Sequence, residues 1–170
     1  MVMIKKAAPG VSESALTRFI QRARKAAGLR GQANVLLTSS RNLRVLNRRF
    51  RGIDKPTDVL SFPPIPAVAR QFSGDIVISA DIAARNARLY QHTLAQEVKI
   101  LILHGMLHLA GYDHESDRGQ MARKEERLRR ELGLSNGLIR RTEDGALSPS
   151  RATEAVDRRP STIDPRRRVQ

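Results

Sequence analysis

The chain alternates between stretches where apolar residues recur every three or four positions and short stretches where they run together. From Ser12 to Ala27, Leu16, Phe19, Ile20 and Ala23 share one face, with Arg18, Arg22 and Lys25 opposite. This spacing predicts an amphipathic helix capped by Ser12 and stopped at Gly28. Asn34 to Thr38 is short and apolar and reads as a strand. A second helix is expected after Ser40, burying Leu43, Leu46 and Phe50 and ending before Gly52. Pro56 halts any helix, and Thr57 to Phe62 then reads as a strand with Val59 on one side and Leu60 and Phe62 on the other. Pro63, Pro64 and Pro66 begin a loop that runs to Phe72, and Gly74 to Ser79 is the clearest strand. Ser79 is placed to cap a helix through Tyr90. Thr93, with Gln96 positioned for a capping box, opens the next one. Asp117 and Gln120 offer a further capping pair before a charged helix that turns Leu128 and Leu132 inward and stops at Gly133. Strands gathered in the first half, with helices on both sides, predict an α+β fold: a mixed sheet of about four strands packed with helices.

The pattern changes near Asn136. Residues 1–135 read as one domain. Beyond them Ser, Thr, Pro, Arg, Asp and Glu dominate, and Val156 and Ile163 are isolated. Such a segment cannot bury enough surface to offset its ordering entropy, so 136–170 is expected to be disordered, its Arg pairs suited equally to non-specific RNA contact and to plain solubility.

Lys and Arg number 31 against 17 Asp and Glu, a net charge of +14. That excess attracts polyanions, nucleic acid first and an anionic membrane surface second. Aromatic residues make up only 4%, which argues against a base-stacking platform. The absence of cysteine excludes disulfides and thiolate ligands. No stretch resembles a signal peptide or approaches the roughly 18 apolar residues of a membrane span, so a soluble cytoplasmic protein is expected.

The candidate chemistry lies in His104-Gly-Met-Leu-His108-Leu-Ala-Gly111-Tyr112-Asp113-His114, which holds three of the four histidines. His104 and His108 follow the apolar run Val98, Ile100 to Leu103. If that run is a helix, side chains four apart stack on one face. Gly111 is suited to end the helix in the left-handed conformation and return the chain so that His114 meets the other two. Three neutral imidazoles match a catalytic zinc site, one ion per chain at the end of a central helix, with one position left for water. The spacing equals that of the metzincin zinc peptidases, except that Gly105 stands where their general-base Glu belongs. A glycine takes no proton, which argues against proteolysis. His92 is assigned to the surface and Tyr112 to apolar loop packing. Asp113, beside His114, is a candidate to orient a ligand histidine or to bind backbone.

Arg51-Gly-x-Asp-Lys-Pro-Thr-Asp-Val-Leu-Ser-Phe-Pro63, then Gly-Asp-Ile-Val-Ile-Ser, then His-Gly-x-Leu-His-Leu-x-Gly-Tyr-Asp-His together resemble the YbeY family of bacterial endoribonucleases, over roughly Val35 to Leu134. The resemblance implies that His104, His108 and His114 hold a metal, taken to be zinc, and that Arg51 handles RNA or its cleavage. It further implies a single-strand-selective, metal-dependent endoribonuclease acting on ribosomal RNA, notably the small-subunit 3′ end, and in ribosome quality control. Ribosome or small-subunit proteins would be its partners. Lys55, Thr57 and Asp58 are secondary candidates for RNA contact, and Thr57 and Asp58 are equally suited to cap their turn. Residue chemistry leaves open whether water or the RNA 2′-hydroxyl attacks. It also leaves two other classes: a zinc peptidase with an unconventional base, and a non-enzymatic ribosome-assembly factor with structural zinc.

Overall fold

The computed structural model describes residues 1–134 apart from Glu115; the segment 136–170 lies outside the described residues. The sheet contains β1 (Val2–Ile4), β2 (Gln32–Thr38), β3 (Val59–Phe62) and β4 (Phe72–Ser79) in the order β1-β2-β4-β3. β1, β2 and β4 run parallel, and β3 pairs antiparallel with β4 at one edge. The helices are α1 (Glu13–Ala27), α2 (Ser40–Arg51), α3 (Ala80–Leu89), α4 (Leu94–Leu109) and α5 (Gln120–Leu132). A mixed four-stranded sheet with helices is the α+β architecture expected from the pattern.

Side-chain alternation along the strands divides the core in two. Val35, Leu37, Ile76, Ile78 and Val59 join α1, α3, α4 and α5 in the larger cluster. Leu60, Phe62 and Val77 turn the other way and meet Leu43 of α2, with Leu36 and Leu46 alongside. Val59 and Leu60 therefore do face opposite sides of the sheet. α4 is buried almost all round, from Glu97 to His108. A helix apolar on every side has no solvent face to offer and becomes the centre of the fold.

Local signals explain most of the boundaries. Ser12, Ser39 and Ser79 cap α1, α2 and α3 through their side chains, and Thr93 with Gln96 forms a full capping box on α4. Several expectations need correction. β1 has no counterpart in the sequence reading, because three residues carry no legible period. α2 begins one residue earlier than expected, capped by Ser39. Its Phe50 is not core but 37% exposed, resting edge-on against Phe62 at 5.2 Å. α5 is capped by no side chain at its N-cap Gly119. Asp117 instead reaches Met121 N at 2.7 Å, so no Asp117–Gln120 capping box forms. No helix among the described residues is long and apolar enough to cross a membrane.

Candidate metal centre

The last turn of α4 and the loop after it assemble the site. The helix ends in a Schellman motif: Gly111, at φ 88°, donates to His108 O at 2.9 Å, and Tyr112 donates to Leu107 O at 3.0 Å. Only a residue tolerant of left-handed backbone makes this reversal cheaply, and it carries Asp113 and His114 back over the helix end. The three rings then converge, with centroids 4.8 Å (His104–His108), 5.5 Å (His104–His114) and 5.5 Å (His108–His114) apart. One ligating atom from each lies within 4.8 Å of the others. His104 and His108 are buried, whereas His114 is half-buried, so the cradle reaches solvent on its side.

The donor set fits a divalent ion. The Nε2 atoms of His104 and His108 stand 3.2 Å apart. Two imidazoles bound tetrahedrally to one zinc at about 2.0–2.1 Å would place these atoms about 3.3 Å apart. Burial, reinforced by the neighbouring His104 and His114, pushes the His108 imidazole down to about 3. It is therefore neutral, as a ligand must be. The three donors that cluster among the described residues are all imidazoles, so they themselves would leave an ion its full positive charge.

Behind the triad, Glu125 of α5 accepts from His104 Nδ1 at 2.9 Å with both side chains buried. The sequence reading missed this carboxylate. The available signal was Glu125 lying in the stripe Met121, Glu125, Leu128, Leu132, an acid where an apolar residue is expected. Gly105 faces the sheet, and Ser61 donates its hydroxyl to Gly105 O at 3.2 Å. A Cβ there would lie 2.9 Å from Ser61 Oγ and 3.0 Å from Ile76 Cγ2. The position next to His104 therefore has no room for a glutamate, and its side chain would point away from the ligand atoms.

The remaining candidates occupy different surroundings. Arg51 is the last residue of α2, half-buried, with Nη1 shielded from solvent. From it the chain runs through Lys55, whose side chain is exposed, into β3. Thr57 is 1% exposed and its hydroxyl donates to Asp58 at 3.2 Å, which corrects its candidacy for RNA contact: it shapes the turn from inside. Asp58 is itself buried. Its Oδ1 accepts from Val59 N at 2.9 Å, its Oδ2 has no hydrogen-bond partner, and burial pushes its carboxyl up. Asp113 accepts from Ser116 Oγ at 2.7 Å and ties the His114 loop together. Tyr112 packs against the larger core cluster, as expected. His92 does not belong to the surface: its side chain is 6% exposed and meets Glu97 at 2.6 Å.

The family model described as Endoribonuclease YbeY matches residues 4–133. The chain belongs to the YbeY family. The Endoribonuclease YbeY of Koribacter versatilis is 56% identical over 142 residues, covering 84% of this chain and 91% of that protein. That of Solibacter usitatus is 44% identical over 142 residues, covering 84% and 94%. Among solved structures, TM1509 from Thermotoga maritima is 29% identical with a TM-score of 0.53, covering 88% of this chain and 99% of that one. The match to the YbeY model spans both the His104–His114 loop and all of α5, so the histidine triad and the Glu125 behind it lie within the family's domain.

Proposed function

We propose that this chain is a metal-dependent endoribonuclease that cleaves single-stranded RNA, with one zinc ion on His104, His108 and His114. The observation that carries the reading is the cradle itself: three imidazoles converge, one edge is open to solvent, and the neighbouring position has no room for a peptidase base. A divalent ion held there supplies Lewis acidity toward a phosphoryl oxygen and lowers the pKa of a bound water toward about 7 from about 15.7. The three histidines orient that ion. Arg51 offers a planar fork of donors for charge developing on the phosphate. Exposed Lys55 holds a neighbouring phosphate, and the +14 net charge draws the polyanion in. The family membership supports RNA as substrate. We further assign the activity to ribosomal RNA processing in the cytoplasm, at the small-subunit 3′ end and in quality control, with ribosomal proteins as partners.

The test incubates one preparation with single-stranded RNA, duplex RNA and casein, with and without a chelator, and measures its metal content. The reading expects chelator-sensitive cleavage of single-stranded RNA alone, lost in folded His104→Ala protein. Casein cleavage, or RNA cleavage that survives in His104→Ala, would overturn it.

A further inference from the structure

We propose that Glu125, braced by Arg129, is a positioning residue that fixes His104 as a metal ligand, which makes α5 part of the metal centre. The inference rests on the metal-centre reading above. Glu125 Oε2 lies 2.9 Å from His104 Nδ1, with side chains 2% and 1% exposed. An ionised carboxylate only accepts, so the single proton of a neutral His104 sits on Nδ1. The lone pair is then on Nε2, the atom that faces His108 Nε2 at 3.2 Å. Glu125 thereby selects both the tautomer and the ring orientation that ligation requires. Among the described residues no carboxylate hydrogen-bonds His108, whose ring instead meets the Tyr112 backbone.

Arg129 completes the arrangement one helical turn on, its Nη1 3.5 Å from Glu125 Oε1 with side chains 3% and 2% exposed. Stability alone does not account for this pair. Desolvating two ions cancels most of their attraction, and an apolar pair of similar volume is often as stable. Met121 and Leu128 on the same helix show that apolar side chains fit this interface. What an apolar pair could not do is accept a hydrogen bond from His104 Nδ1. By linkage, an ion that favours the ordered His104 favours the docked α5 equally.

The test uses the full chain and measures zinc and cobalt affinity by competition with a chromogenic chelator, alongside circular dichroism of the metal-free protein. Glu125→Ala is expected to bind either metal about 10–100-fold more weakly. Glu125→Gln, whose amide oxygen still accepts from Nδ1, should stay within a few-fold of wild type. If Glu125→Ala does not fold, Glu125→Asp carries the test: its carboxylate is one methylene short, and affinity should fall about tenfold while Glu125→Gln holds. Folded variants that all bind with wild-type affinity would overturn the proposal and leave the three-histidine centre standing. A wild-type protein that binds neither metal would overturn both.

Discussion

Ser61 donates its hydroxyl to the carbonyl oxygen of Gly105 at 3.2 Å, so β3 and α4 touch one residue beyond the first histidine of the triad. Gly105 is a packing residue, and the contact sets which face of α4 the imidazoles leave free. Gly105→Ala should lower stability by about 1–3 kcal/mol through overpacking, offset in part by about 1 kcal/mol of helix propensity. Urea denaturation of metal-free protein checks the sum, and an alanine variant clearly more stable than wild type would contradict it. Gly105→Glu should not fold, and so cannot supply a peptidase base.

The His108 imidazole is held down to about 3 from an ordinary 6.5. Above the ordinary value it is neutral in both folded and unfolded chains, and the shift has no effect. As pH falls below it, the unfolded chain takes up a proton that the folded chain refuses. Metal-free stability should then decline by up to about 1.4 kcal/mol per pH unit, levelling only near the folded value. The difference between wild type and His108→Asn in urea midpoints at pH 7, 5 and 4 isolates this slope. Parallel curves would show that His108 accepts a proton in the fold.

His92 meets the buried Glu97 at 2.6 Å beneath the N-terminal turn of α4, with Tyr90 stacked on its ring at 6.2 Å. His92→Ala should cost about 1–3 kcal/mol, the usual penalty for removing one partner of a buried polar pair. Zinc affinity of the folded fraction should not change. A drop in affinity without a drop in stability would move His92 into the metal centre.

Arg51→Ala should reduce RNA cleavage by about 100-fold or more at unchanged metal content, the scale of losing one donor to transition-state charge. Arg51→Lys should recover only part of it, because the planar fork is lost. Lys55→Ala should instead weaken binding at every sequence and reduce the salt dependence of log K by roughly 0.7–0.9. If Arg51→Ala cleaves normally, the role assigned here belongs to another residue.

Zinc should stabilise the folded chain by RT ln(1 + [L]/Kd), about 2.7 kcal/mol at 100-fold excess over Kd. A chelator should remove that gain, and His114→Ala should remove most of it. Thermal melts across a zinc titration read the effect directly. A melting temperature independent of zinc in wild type would rule out binding to the folded state.

Much of this molecule is written locally. Caps at Ser12, Ser79 and Thr93, the stop at Gly111, and the split of Val59 from Leu60 and Phe62 all follow from interactions within a few residues. So does the histidine triad, because i, i+4 spacing and one glycine turn are short-range geometry. Tertiary structure decided the rest. A three-residue β1 exists only because β2 lends it a register, Val2 against Val35 through Ile4 against Leu37. Phe50 and His92 exchanged their expected environments, because burial depends on what packs above a position and not on its place in the periodic pattern. Glu125 stands 21 residues from His104 and finds it only once α5 docks on α4. A proton donor and its acceptor that far apart leave no spacing to read; the shared apolar face of two helices brings them together.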